Sequence, residues 1–341
     1  MKQISIINIA LWAILMGIFF IPFNSWEGLP ILGEFYRDSC FLFFITASFF
    51  ALLKRKIKIP IKNIVFQFLI LLIAWCFTAT ILNSMTVAEY FFKQTTGLER
   101  FINQYGALLI CSIILPITFF NIFYLVNLNR LLYTIRKVIL ASFIIVLIYA
   151  FFEILIVKFG MQDLKIKVLN LFDYFPFTEA KTDSLLNRIS SVTFEPPALG
   201  TYLLSIAGWM FSYIITSTSR WRFLPSIAVI LLAFISGSRA AFFIIIVQSL
   251  AFLYILLKDL KYSKVFLNIT LALTLTASCF WLVFSNQIYE YARNEIASFR
   301  LDDSDHSRSN RSRFGIQVAM YKVFLENPIT GTGYGLQAFE S

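Results

Sequence analysis

Charge is what this sequence has least of: Asp, Glu, Lys and Arg make up 14% of its 341 residues, against 59% hydrophobic and 18% aromatic. With a mean hydropathy of +0.76, that scarcity excludes a soluble globular chain. Metal-ligand and redox residues are also few. The single histidine, His306, and the four cysteines, Cys40, Cys76, Cys111 and Cys279, show no paired spacing suited to a zinc site or a disulfide framework. The cysteines all fall in apolar runs and read as small buried side chains. There is no internal repeat and no low-complexity linker. The first run, Ile4 to Phe23, has no small-residue cleavage site and is too long for a signal peptide, so it reads as a retained helix.

What is present is a series of apolar stretches, each about 20 residues long and so able to cross roughly 30 Å of hydrocarbon. They begin near Ile4, Tyr36, Ile64, Tyr105, Val138, Pro197, Phe223, Ala240 and Val265. The expected fold is an all-α polytopic integral membrane protein of about nine transmembrane helices. Its divisions are N-terminal helices over 1–158, an outward loop over 159–196, further helices over 197–285 and a second long outward segment over 286–341. Together these read as one membrane domain with surface loops.

The net charge of +10 raises the question of nucleic acid, and the distribution of the cations argues against it. They occupy alternate connections: Lys54, Arg55, Lys56, Lys58 and Lys62; then Arg130, Arg136 and Lys137; then Arg220 and Arg222; then Lys258, Lys261 and Lys264. This is the positive-inside pattern and places the N-terminus in the cytoplasm. The loops 24–35, 83–104 and 159–196, and everything after Asn286, then face outward.

On that outward side Arg239, in Ile235-Ser236-Gly237-Ser238-Arg239-Ala240-Ala241, lies between two apolar runs where the charge bias disfavours a cation. Such a residue binds an anion or lines a polar path, or else snorkels to the interface. Arg188, Arg308, Arg311 and Arg313 project to the same side. A guanidinium's planar fork suits bidentate contact with phosphate oxygens, which points to an anionic, phosphorylated substrate. The run Ser307 to Arg313, with Asp302, Asp303 and Asp305 before it, can equally be a solvated, turn-rich approach to the helix that carries Ile316, Ala319, Met320, Val323 and Phe324 at helical spacing. Asn327-Pro328 ends that helix. In the outward segment that precedes Arg188, Met161 to Phe177 has enough apolar residues to pack on the membrane surface.

Glu195 precedes Pro196-Pro197 and so sits at the entry of a helix whose first turn proline fixes. A rigidly held carboxylate there can act as general base or orient an arginine; the plainer alternative is an anion that satisfies the helix N-terminus. Tyr202, further along the same helix, either lines the same cavity or packs. Gly331, Gly333 and Gly335 follow a helix rather than a strand, so they form a turn and not a dinucleotide fingerprint. Asp303-Ser304-Asp305 has the look of a metal-binding acid pair of nucleotide-sugar transferases, but it is assigned to the outward side, away from cytoplasmic nucleotides. His306 either assists proton transfer near neutral pH or is solvated in its loop. No metal and no cofactor are expected.

Taken in order, Phe194-Glu195-Pro196-Pro197-Ala198-Leu199-Gly200, Ser236-Gly237-Ser238-Arg239-Ala240-Ala241, Arg311-Ser312-Arg313 and Glu326-Asn327-Pro328-Ile329-Thr330-Gly331-Thr332-Gly333-Tyr334-Gly335 resemble successive landmarks of the O-antigen polymerase and O-antigen ligase superfamily. The likeness runs from about Arg188 to Gln337. It implies metal-independent, inverting glycosyl transfer at the periplasmic face of the bacterial inner membrane. The donor it implies is a glycan on undecaprenyl diphosphate. The acceptor is another lipid-linked repeat unit for a polymerase, or lipid A core for a ligase, and other polysaccharide assembly proteins are implied as partners. Carried over by position, Arg239 holds the diphosphate, helped by Arg311 or Arg313; the reading of the residues themselves adds Arg188 as a further contact and Glu195, with Arg239, as catalytic, orienting or accepting a proton. Members of that superfamily continue past the glycine-rich turn into a stretch containing His-Asn, whereas this sequence stops at Ser341 and reads as truncated. The expected activity is that of a polymerase, with the ligase as alternative. A flippase for the same lipid-linked sugars is the alternative from another class; it calls for ionisable residues deep within several helices, where this sequence offers mainly Glu153.

Overall fold

The structure, a computed structural model, describes residues 2–53, 57–92, 95–157, 160–161, 175–179, 188–258 and 307–334. These form an all-α membrane protein. The helices are α1 (Lys2–Phe20), α2 (Cys40–Leu52), α3 (Ile64–Leu82), α4 (Ser84–Glu89), α5 (Gly97–Leu109), α6 (Leu115–Phe123), α7 (Leu128–Val157), α8 (Pro196–Thr216), α9 (Leu224–Ile235), α10 (Arg239–Lys258) and α11 (Ser307–Glu326). A single π-helical turn, Ile110–Ile114, joins α5 to α6, so that 97–123 is continuous. Among the described residues, four helical stretches are long and apolar enough to cross a membrane: Ile64–Leu82, Gly97–Phe123, Leu128–Val157 and Pro196–Thr216. Ile6–Phe20, Cys40–Leu52 and Ala240–Leu256 are shorter apolar helices. The stretch expected from Val265 lies outside the described residues, as do Cys279, His306, the acids Asp302 to Asp305 and most of the segment 161–177.

The chain divides into two compact units: Met1–Asn63 with Ile110–Lys258, and Ile64–Leu109 with Asp259–Ser341. One expectation is corrected. The stretch 83–104, expected as an outward loop, is largely structured, since α4, a two-residue antiparallel pairing of Phe91–Phe92 with Thr95–Thr96 and the first turns of α5 fill it. Gly97 permits this tight return. A Cβ there would stand 2.2 Å from the carbonyl oxygen of Val87.

The first unit is built around α7 and α8. Phe143, Val146, Leu199, Leu203, Ala207, Met210, Ala233 and Ile245 form its centre and are almost wholly buried. Within hydrocarbon there is little hydrophobic drive between helices, so close backbone approach and interhelical hydrogen bonds hold them together. Gly17 lets α1 meet α2 where a Cβ would collide with the ring of Phe44. Ser142 Oγ on α7 donates to Phe19 O on α1 (2.7 Å), Tyr202 on α8 donates to Ser142 Oγ (3.3 Å), and Ser226 on α9 donates to Met210 O on α8 (3.0 Å). Thr118 on α6 reaches Ser48 on α2 (3.0 Å). Each such bond contributes about 0.6 kcal/mol. Cys40 is buried, Cys76 half-buried and Cys111 exposed, all as free thiols.

In the second unit, Tyr105 on α5 donates to Ile73 O on α3 (3.3 Å). The turn after α11 returns to α3: Tyr334 N donates to Thr80 Oγ1 (3.0 Å), and Asn83 Nδ2 donates to Thr330 O (3.4 Å). Gly331 and Gly333 take positive φ in that turn, at 59° and 111°. The expected glycine-rich turn is present, with Gly331 N closing on Asn327 O (3.0 Å). The approach to α11 differs from expectation. Ser307 to Arg313 is the start of the helix itself, not a turn-rich lead-in.

Candidate functional site

Pro196 and Pro197 occupy the first turn of α8, where a missing N–H costs nothing and a fixed φ favours helix entry. Glu195 is the residue before them, extended at φ −154° and ψ 157°. Its carbonyl accepts from Ala198 N and Leu199 N, while its exposed carboxylate makes no capping hydrogen bond. The alternative of an N-capping anion is therefore not realised as a hydrogen bond. The carboxylate is left facing outward from a rigid backbone.

The segment that delivers Glu195 is fixed by a residue the sequence gives little reason to notice. Glu153, near the end of α7, is fully buried. Its Oε1 accepts from Ser190 N (3.1 Å) and Ser190 Oγ (3.3 Å), and its Oε2 accepts from Ser191 N (2.7 Å). A buried carboxylate is tolerated only when donors surround it, and here the donors are the chain that leads to the site. Ser191 adopts a positive φ of 53° and anchors its hydroxyl on Val146 O (2.8 Å). Thr193 Oγ1 lies 2.6 Å from Ser190 O and 2.9 Å from Glu195 O and donates to either.

The turn between α9 and α10 is equally constrained. Buried Ser236 donates to Ala233 O (2.8 Å) and accepts from Ser238 N (3.3 Å), closing α9; Ser238 O then accepts from Phe242 N (2.9 Å), opening α10 at Arg239. Gly237 takes φ 68° and runs beneath Arg188, so that a Cβ there would lie 3.3 Å from Arg188 Cγ. Both the left-handed backbone and the close approach favour glycine. Gly200, on α8, lies against the same turn. A Cβ at Gly200 would come within 2.5 Å of Ser238 Oγ and 2.9 Å of the Ala241 Cβ. Residues some forty positions apart in the chain thus touch.

The fold assembles, at one end of the first unit, Arg188 over the Ser236–Ser238 turn, Glu195 at the entry of α8 and the first residue of α10, Arg239. Arg188 is half-buried and makes no hydrogen bond or ion pair with another described residue. Arg239 opens α10, where unpaired helix N–H groups favour an anion. Its side chain is outside the described part, as are those of Arg308, Arg311 and Arg313 in α11 of the second unit. Tyr202 proves to be packing: it is buried, with its hydroxyl on Ser142.

The loop from α1 to α2 completes this end. Asn24 accepts from Phe194 N (3.0 Å) and donates to Asp38 (3.4 Å). Burial pushes the Asp38 carboxyl above the usual aspartate range, an effect the Asn24 bond partly offsets. Trp26 Nε1 donates to Arg37 O (2.6 Å), and the Arg37 guanidinium carbon lies 5.0 Å from the Phe194 ring centre and 5.1 Å from that of Tyr36. Neither Arg37 nor Glu153 stands out in the sequence as a site residue. Arg37 next to Asp38 looks like a self-neutralising pair at a helix boundary, and Glu153 looks like a stray charge at a helix end.

Residues 224–341 match the family model described as O-antigen ligase. The match takes in α9, the Ser236–Ser238 turn, α10 and α11, and it supports the O-antigen ligase/polymerase superfamily. No curated protein and no solved structure matches the chain.

Proposed function

We propose that this chain, with an O-antigen ligase domain over 224–341, is an O-antigen polymerase. It joins undecaprenyl-diphosphate-linked repeat units at the periplasmic face of the inner membrane by metal-independent inverting transfer. The observation that carries the reading is the contact of Gly200 with Ser238 and Ala241, beneath Arg188. It draws together two of the motifs on which the superfamily likeness rests, one inside and one outside the matched region.

In this reading an acceptor hydroxyl attacks the anomeric carbon from the face opposite the diphosphate. The bond from that carbon to the diphosphate oxygen breaks, undecaprenyl diphosphate leaves with the electron pair, and Glu195 takes the acceptor proton. Negative charge grows on the departing diphosphate. Arg239 and Arg188 stabilise it, and cations already in place in a partly dry site do so without reorganising. The donor bond is activated at synthesis, so no nucleotide takes part.

The description of the matched family also favours a ligase, in which the same arginines hold the same lipid diphosphate and the acceptor is lipid A core. A lipopolysaccharide gel of a strain deleted for the gene, with its lipid-linked intermediates analysed alongside, separates the two. Core bearing a single repeat unit supports the polymerase. Bare core with long polymer held on the carrier lipid supports the ligase, and an unchanged gel refutes both.

A further inference from the structure

Arg37 has no part in the chemistry above, yet its surroundings are specific. Its backbone carbonyl is held by Trp26, and its guanidinium lies between the rings of Tyr36 and Phe194. Its Nε is buried with no hydrogen-bond partner, and the side chain makes no ion pair with a described residue. The acid that adjoins it, Asp38, is turned to Asn24 instead. Phe194, one of the two rings, is the residue before Glu195 and is tied to the same Asn24 through its backbone N–H. Aromatic faces position a guanidinium without using its in-plane donors, and the planar fork keeps those donors aligned for two oxygens of one oxyanion. A cation held in this way beside the Glu195 segment, and neutralised by no described neighbour, is suited to meet a charge that a ligand brings.

We infer that Arg37 is a further substrate-binding residue, whose guanidinium edge takes a phosphate or carboxylate oxyanion of the lipid-linked substrate. The inference rests on the functional reading above and deepens it: the α1–α2 loop, outside the region matched to the family, supplies part of the substrate site.

The test is equilibrium binding to the purified full chain in nanodiscs, with two probes: sugar-free undecaprenyl diphosphate, and undecaprenyl diphosphate carrying the strain's own repeat unit. Arg37→Ala is expected to weaken binding about tenfold, the loss of roughly one charge-assisted contact, with elution volume unchanged and a thermal midpoint that falls only on the scale of the lost ring contacts. Arg37→Lys, which keeps the charge, is expected to recover part of that loss, whereas Arg37→Gln, which keeps a planar group without the charge, is expected not to. Weakening of both probes places the oxyanion on the diphosphate, and weakening of the glycan-bearing probe alone places it on the glycan; either supports the inference. Wild-type affinity of Arg37→Ala for both probes overturns it while leaving the polymerase reading intact. If the wild-type chain binds neither lipid, the functional reading fails, and this inference fails with it. Should Arg37→Ala not fold, Arg37→Gln, which keeps a planar polar group against Phe194, carries the same comparison.

Discussion

The two ends of the first unit carry their cations on different backbone. At the end where α7 begins, the cations lie on rings of the surrounding helices: Lys58 over Tyr124 (4.0 Å), Lys137 over Tyr133 (4.4 Å) and Arg136 over Tyr213 (4.3 Å), with Arg136 also donating to the Thr216 hydroxyl. Lys58 is further fixed by a reciprocal pair of bonds between its backbone and the Asn121 amide, both 2.8 Å. These groups serve to seat helix ends, as aromatic and basic residues do at a membrane boundary. At the end where α7 finishes, Arg37 and Arg188 are carried on irregular backbone and make no side-chain hydrogen bond or ion pair to described residues. There the polar bonds go to the backbone instead, through Glu153, Asn24, Thr193 and Ser236. Ring contacts and a buried, unpartnered Nε occur at both ends, on Arg136 as on Arg37; the difference lies in the backbone, which at the α7 finish is irregular and heavily braced.

The largest expected effect comes from removing the cation assigned to the diphosphate. Arg239→Ala should reduce chain extension by about 10²-fold or more, the scale for losing a preorganised charge contact in a transition state, while membrane insertion stays normal by fractionation. Normal polysaccharide length in that variant would dissolve the distinction between the two ends. Next comes the bracing. Glu153→Ala leaves buried backbone donors of Ser190 and Ser191 without a partner, each a loss of about 1–3 kcal/mol. Its thermal midpoint should fall and its activity with it, whereas Glu153→Gln, which keeps an acceptor, should fall less.

A glycine pair sharpens the comparison at smaller scale. Gly237→Ala forces a side chain into a left-handed position beneath Arg188, with a strain of about 1–2 kcal/mol. Gly208→Ala, in mid-helix with nothing within 4 Å of the new Cβ, should stabilise by about 0.4–1 kcal/mol. Equal midpoints for the two variants would mean that the Ser236–Ser238 turn is not constrained as described. The smallest effect belongs to the anchoring end: Arg136→Ala should shift stability by about 0.5–1 kcal/mol, the scale of an exposed cation–π contact, with no change in product length on a gel.

Hydropathy made most of the helices legible, because a bilayer demands about 20 apolar residues whatever they pack against. It failed where the backbone is helical without being apolar. Ser307 to Arg313 reads as loop and is the first part of α11. The stretch 83–104 reads as a connection and contains α4 and the start of α5. In both, polar helical turns lie beside an apolar run, and a rule based on apolar length sets the boundary at the wrong residue.

The candidate site divides along the same line. The sequence by itself determined the membrane class, the proline-fixed entry of α8 behind Glu195, the glycine-rich turn after α11 and the likeness of the Ser236 to Ala241 motif to a known superfamily, since each rests on composition or on local backbone geometry. It took the packing of the helices to bring Gly200 and Gly237 to the same turn, to make Glu153 the brace for the chain leading to Glu195, and to lay Arg37 against Phe194 rather than pair it with Asp38. Those facts depend on which helices approach one another. A buried acid and an unpaired arginine look ordinary until the partners brought to them, or withheld from them, by the fold are known.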